Sequence, residues 1–544
     1  MGNPALKFDV FTNKFAYDIF KMKYSMDGQE TWADTCRRVV TAVCGQLLSS
    51  ELQEEIYQYM LDRKFIPGGR YLYSAGREFH QVNNCFLFRA EDSREGWADL
   101  MQKSTSSLMT GGGIGVDYSS VRAEGSNIKK TGGKATGPIA LMNMVNEAGR
   151  YIMQGGQRRS AIWAGLQWDH KDIPKFLHLK DYSEDLLALK AKDFNFPLPM
   201  EGTNISVIYN TDFFVAIEDP KHPKHKLALD VWFKNCLQAC STAEPGMSFN
   251  FCKDSESLRN ACTEVVSVDD SDKCNLGTAW MNRCESRKEF ARVCHVATIF
   301  LLCGGIYSMV PTEEIRKVGV QNNRIGLGLG GIHEWLMVRG MKYEVTPELH
   351  KWMNEYKQES DSAAYIWAKK LGVAIPKGKR AIAPTGTIGI LAETTTGIEP
   401  LFCKSYKRRY LEDKKWREEY VIDGAVKRLL ALGVKVEDIK DTYDISFKER
   451  VKFQADIQNY VDMSISSTCN LPSWGSDSNN ESTLKKDAKM LLKYAKRLRG
   501  FTCYPDGARH GQPLTRVDLS EAMEKENKKF IEEERECLNG VCGI

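Results

Sequence analysis

The stretch that decides how this chain is read is NACTEVVSVDDSDKCNLG, residues 260–277. Asn260, Cys262 and Glu264 are spaced by two. In an extended segment that spacing projects an amide, a thiol and a carboxylate on one side. An amide can hold a hydroxyl, a carboxylate can take a proton from one, and a thiol can act as nucleophile or hydrogen-atom carrier. Spacing alone more often marks a polar strand edge facing water, so the rest of the chain has to decide.

Cys262 is one of sixteen cysteines. The opening MGNPALKFDVFTNKF lacks the charged-then-apolar pattern of a secretory signal, and Leu6 departs from a myristoylation start. A reducing compartment is therefore expected, which means cytoplasm (bacterial, or that of a host if the chain is phage-encoded). There a cysteine is more often buried, metal-binding or catalytic than cross-linked. No C-x-x-C occurs, Cys236 and Cys240 lie four apart in a helical-looking stretch, and no His clusters with a cysteine. No metal site is expected. A formal net charge of +4 over 544 residues argues against a nucleic-acid-binding protein. No run of eighteen apolar residues suggests a membrane span.

Outward from 260–277, residues 10–65 carry apolar side chains at three- and four-residue spacing and read as helices. From about residue 80, short apolar strands such as NCFLF, GGIGVDY and NISVIYN alternate with helices, which suggests an α/β domain with parallel strands. Residues 481–500 read as a basic amphipathic surface helix. The expected layout is a helical region over 1–78, a catalytic domain over 79–480, helical segments over 481–530 and a flexible tail over 531–544.

Two glycine-rich segments invite other readings. Gly326-Leu-Gly328-Leu-Gly330-Gly331 matches a dinucleotide fingerprint by letter, but Glu344 falls in a turn instead of at a second strand's end. Gly111-Gly112-Gly113-Ile-Gly115 lacks the Lys-Ser/Thr of a P-loop, and its glycines imply only close backbone approach to a ligand.

Taken together, the ordered motifs resemble the ribonucleotide reductase family. NACTE followed by CNLG is similar to that family's finger-loop region. PGGRYLYSAG, NNC around Cys85, GGGIGVDYSSVRAEGSNI, NISV, IGLGLGGIHEWL, IAPTGTIGILAETTTGIEPLF and GFTCYPDGARHGQPL fall in the expected order, so the resemblance spans roughly residues 15–515 and the two-cysteine tail. It implies a ten-stranded α/β barrel, two halves of five parallel strands, with the finger loop through its centre. It also implies that Cys262 carries a thiyl radical, that Glu264 is the general base for the 3′-hydroxyl, and that Asn260 holds a ribose hydroxyl. By the same resemblance Cys85 and Cys274 become a disulfide as water leaves C2′, and Cys537 and Cys542 are the shuttle that re-reduces them. Pro384, Thr385, Gly386, Thr387 and Ile388 resemble the phosphate site, where a turn entering a helix offers free N–H groups to an anion. Tyr71, Asn84 and Gly113 fall where the family lines its substrate pocket.

The radical source follows from Cys503-Tyr504. Oxygen-dependent members carry two adjacent tyrosines here, and a cysteine breaks that dyad; the glycyl-radical motif is not matched by NGVCGI. The resemblance therefore favours the adenosylcobalamin-dependent class. Its implied partners are a ribonucleoside di- or triphosphate, with diphosphate preferred, a thioredoxin-like dithiol reductant and a dNTP effector, in a monomer or homodimer. Segments after Asp117 and over 190–203 lie where effector loops would sit. No segment resembling an ATP-binding cone precedes the helices, so overall control by ATP and dATP is expected to be missing. The alternatives are the large subunit of an oxygen-dependent reductase, a regulatory nucleotide-binding protein without catalysis, and, last, a nicotinamide dehydrogenase.

Overall fold

A computed structural model describes residues 8–129, 131–154, 158–193, 196–250, 256–412, 415–508, 514–525 and 529–531. Ten strands form the main sheet: β1 (Phe65–Pro67), β2 (Cys85–Arg89), β3 (Gly113–Asp117), β4 (Ile162–Gln167), β5 (Thr203–Tyr209), β6 (Gly246–Phe249), β7 (Asp272–Trp280), β8 (Ile325–Gly330), β9 (Thr468–Leu471) and β10 (Gly500–Pro505). Strands β2 to β6 pair in parallel, each with the next. In the other half β7 pairs in parallel with β8, and β9 with β10. Isolated parallel bridges Leu327↔Arg380 and Ile382↔Ile465 continue the pairing from β8 toward β9. The halves meet antiparallel, at β2 with β7 and at β6 with β10. The expected α/β class with two parallel halves is the one observed.

Strands of this kind are buried on both faces, and β3 and β7 are so along their whole length. Helices cover the outside. One of them, Arg287–Tyr307, is long and apolar enough to cross a membrane by composition, yet it is largely buried against β7, β8 and the helix Pro347–Lys370.

The boundaries at 78 and 480 need correction. β1 lies in the N-terminal region but pairs with β7, and the first helices share one core with Ala279, Phe300 and Leu327. β10 lies beyond 480, hydrogen-bonded between β6 and β9. The basic helix Glu481–Ala495 exists, capped by Asn480, and it buries Ala488, Leu491 and Ala495. A separate four-stranded antiparallel sheet joins Ser405–Glu412 and Lys415–Ile422 to Leu514–Arg516 and Lys529–Ile531.

Candidate active site

The two glycine-rich segments turn out to be strand faces. Gly113 and Gly115 lie on one face of β3. A Cβ on Gly113 would come 3.0 Å from the Cβ of Ala261, and one on Gly115 would overlap the carbonyl oxygen of Arg259. What approaches these glycines is the chain's own 259–261 segment, by the Ala261 side chain at Gly113 and by backbone at Gly115. Likewise Gly326, Gly328 and Gly330 share one face of β8, and side chains there would collide with Leu276, the Ala381 carbonyl and the Trp280 ring. Glu344 lies in a loop, so no second strand completes a dinucleotide site.

Pressed against β3 is a short hairpin. Leu258–Arg259 pairs antiparallel with Val266–Ser267, Val266 opposite Arg259. Residues 260, 262 and 264 therefore do not lie along an extended strand as expected. They surround a turn in which the Thr263 amide donates to the Asn260 carbonyl at 3.0 Å and Thr263 itself adopts φ 68°. The turn separates their environments: Asn260 and Glu264 are buried, whereas Cys262 is exposed.

Below the hairpin, Cys85 on β2 and Cys274 on β7 are register partners. Partners in an antiparallel ladder lie about 4.5–5.5 Å apart at Cα with side chains on one face, within the range a disulfide spans. Both thiols are buried, and burial pushes each well up from the ordinary thiol range. They share an apolar cage with Leu87, Leu258, Val265, Leu276, Ala381 and Met463.

The Asn260 amide donates to Cys85 Sγ at 2.9 Å, while its Oδ1 accepts from the Val265 amide at 2.9 Å. Cys85 Sγ lies 3.9 Å from Glu264 Oε1. Burial pushes the Glu264 carboxyl up to about 7, against the opposing hydrogen bonds from its own backbone, Asn260 and Cys85. Its Oε2 is buried with no partner among the described residues. A carboxyl poised near neutrality with one unused oxygen suits a general base awaiting a hydroxyl.

The segment Pro384, Thr385, Gly386, Thr387 and Ile388 does form a turn entering a helix, Gly386–Ala392, with Thr385 at φ 50° and its hydroxyl buried without a partner among the described residues. Sequence reasoning missed what braces this helix. Arg63 and Arg283 donate to the carbonyls of Leu391 and Ala392 at its far end, at 3.1 and 2.5 Å, where cations suit the helix dipole. Glu393, next in the chain, accepts from Arg63 and from the backbone of Thr12 and Asn13. Asn84 sits between Cys85 and the Gly68 turn, with Oδ1 buried and unpaired. Tyr71 is different: it is fully buried in the helical core against Phe300, and its hydroxyl donates to Asn275 at 2.8 Å, so it is a core side chain, not a pocket wall. Cys537 and Cys542 lie outside the described residues. Among the described residues no group of three His, Cys, Asp or Glu is arranged to hold a metal ion.

Strand β10 places the remaining decisive pair. Gly500 starts it, and a Cβ there would lie 3.6 Å from Thr263 Oγ1. Alternation puts Tyr504 on that same face, toward the hairpin, and Cys503 on the opposite one. Cys503 is buried among Cys240, Cys236 and Cys469, beneath the helix His225–Thr242.

A buried dithiol under a thiol-bearing hairpin, set in two antiparallel halves of parallel strands, is an α/β arrangement suited to thiol redox chemistry. The ribonucleotide reductase barrel domain matches residues 83–224, 218–365 and 378–504. This chain belongs to the ribonucleotide reductase family. It is 26% identical over 536 residues to the vitamin B12-dependent ribonucleoside-diphosphate reductase of Thermoplasma acidophilum, covering 87% of this chain and 68% of that one. It is 25% identical over 518 residues to the protein of the same description from Mycobacterium tuberculosis, strain H37Rv, covering 83% and 70%. In fold it matches the class Id ribonucleotide reductase alpha subunit of Actinobacillus ureae with a TM-score of 0.72 at 15% identity, over 93% of this chain and 99% of that one.

Proposed function

We propose that this chain reduces ribonucleoside diphosphates to 2′-deoxyribonucleotides, with adenosylcobalamin as the source of the radical. The observation that carries the reaction is the paired Cys85 and Cys274 with Glu264 against Cys85. Cys262, as a thiyl radical, takes the 3′ hydrogen of the ribose. Glu264 takes the 3′-hydroxyl proton through its unpaired oxygen, and Asn260 holds a ribose hydroxyl. As water leaves C2′, Cys85 and Cys274 supply two electrons and two protons and become a disulfide, and the 3′ hydrogen returns from Cys262. The turn at Thr385 and Gly386 holds the phosphates, with Asn84 and Gly113 beside the ribose.

When bound, adenosylcobalamin supplies a one-electron oxidant for the Cys262 thiol. The residues fit such a group. Cys262 stands exposed on its turn, and the residue before Tyr504 on β10 is a buried cysteine, Cys503, where a tyrosine pair would have its second ring. The relatives described as vitamin B12-dependent reductases support the same reading. Cys537 and Cys542 would pass electrons from a thioredoxin-like dithiol by thiol exchange, in a reducing cytoplasm, and a dNTP would act as effector.

The test is reduction of CDP and CTP with adenosylcobalamin and a dithiol, without a second subunit. Turnover of CDP is expected, with none by Cys262→Ala. One turnover without reductant should leave a Cys85–Cys274 disulfide detectable by peptide mass spectrometry. Reduction by Cys262→Ala, or turnover that leaves both thiols free, would overturn the assignment.

A further inference from the structure

We propose that Arg259 is a positioning residue for this reaction: its guanidinium, sealed between the finger hairpin and the end of β6, sets where the Cys262 turn stands over the dithiol. Arg259 is 0% exposed. Its Nη1 donates to the carbonyls of Glu256 and Leu258 at 2.6 and 3.1 Å. Its Nη2 donates to the Phe249 carbonyl at 3.0 Å and to Asn250 Oδ1 at 2.7 Å. Asn250 is in turn tied to β5, its amide donating to the Tyr209 carbonyl at 2.7 Å. One side chain thus fastens the root of the hairpin to the ends of two barrel strands.

An arginine here is held at a burial cost set against its hydrogen bonds. Burying a guanidinium costs several kcal/mol unless it is well paired. Among the described residues the acceptors of Arg259 are neutral, and burial together with the nearby Arg499 pushes its pKa down to about 9. An apolar side chain of similar volume would fill the space but leave four acceptors without this donor. What the planar fork adds is direction, because its donors are fixed in one plane. The opposite side of the same residue is also held, since its carbonyl occupies the space above Gly115. Asn260, the next residue, then meets the Cys85 sulfur. Pinned on both sides, the root leaves the turn little freedom to drift.

The inference rests on the reductase reading of Cys262, so its test needs a readout that does not. Full-length Arg259→Met and Arg259→Lys are compared with the parent in two measurements. In turnover with adenosylcobalamin, kcat should fall about 10- to 100-fold, as expected for a reacting group misplaced by about an ångström, with KM changed less than about twofold. Lysine keeps the charge but not the fork and should not rescue. In native-state alkylation by iodoacetamide, Cys85 should react about 10-fold faster in both variants, the signature of a local opening. Cys294, buried in the helix Arg287–Tyr307, should stay unlabelled and so report against global loosening. If Arg259→Met does not fold, Asn250→Ala removes one acceptor and should show the same pattern more weakly. Unchanged Cys85 labelling overturns the proposal whether or not the protein is a reductase. So does wild-type kcat in Arg259→Lys, or a loss confined to KM. An inactive parent with Cys85 labelling still accelerated in the variants would refute the reductase reading alone and leave the pinning of the hairpin supported.

Discussion

Replacing Glu264 by glutamine should destroy activity and stabilise the protein, but only at high pH. The unfolded carboxyl titrates near 4.5 and the folded one near 7, raised by burial. Between those values the folded state holds a proton that the unfolded state has released, so stability falls as pH rises and the whole penalty is present above about 7. At about 1.4 kcal/mol per pH unit that penalty is roughly 3 kcal/mol. Glutamine has nearly the same shape and no charge to bury, so Glu264→Gln escapes it. Unfolding entropy of about 2.1 cal/mol/K per residue makes this worth about 3 °C in a chain of 544 residues. Thermal denaturation of parent and variant at pH 5 and pH 8 measures it: the variant's advantage should be below about 1 °C at pH 5 and about 3 °C at pH 8. In the same series, kcat/KM of the parent should climb with pH and level off above about 7, as a base of that pKa requires. An equal difference in Tm at both pH values, or an activity limb near the ordinary carboxylate range, would refute the claim that a dry Glu264 is the base.

Gly115→Ala forces a methyl group into the Arg259 carbonyl, a backbone atom that cannot rotate away. It should cost about 1–3 kcal/mol of stability and about 100-fold in kcat, read by denaturation and turnover; normal kinetics would mean that the hairpin is not seated on β3. Cys503→Tyr restores the letters of a tyrosine pair but aims the new ring at Cys240 beneath the helix His225–Thr242. It should destabilise by about 1–3 kcal/mol through overpacking and confer no activity with a metal-containing radical subunit. A stable variant that such a subunit activates would show the strand's faces to be reversed.

Much of this site was legible because its chemistry is written in residue types. Asn260, Cys262, Glu264, Cys85 and Cys274 could be named from ordered motifs, and the register partnership of the two cysteines follows from strands that the same motifs predict. The hairpin was not legible. Residues two apart face one way in a strand but also flank a turn, and nothing in Thr263 announces a left-handed conformation that β-branched residues rarely adopt. The glycine segments were misleading by letter and informative by period: glycines two apart share one face of a strand, so a period of two was the signal for close packing on that face. Tyr71 fell in a motif but not in the pocket, since resemblance fixes a position in the chain and says little about which way its ring turns. Arg259 carried no signal, because a charged residue beside a polar run reads as solvated until a structure shows it fully buried.

The hairpin turn resolves a conflict that a strand could not. On the proposed mechanism Cys262 has to be open to a radical source, while Glu264 and the dithiol have to be dry, the first to keep its pKa near neutrality and the second to exclude water from the reducing step. In a strand, residues 262 and 264 would share a face and hence an environment. The reversal at Thr263 places them in different ones, at the cost of a strained β-branched residue, of the order of 1–3 kcal/mol. A turn so strained would relax unless its root were held. On the proposal made above, the buried arginine on one side of residue 259 and the glycine beneath its carbonyl on the other share one purpose: they hold the Thr263 turn so that an exposed thiol and a buried carboxyl stand two residues apart.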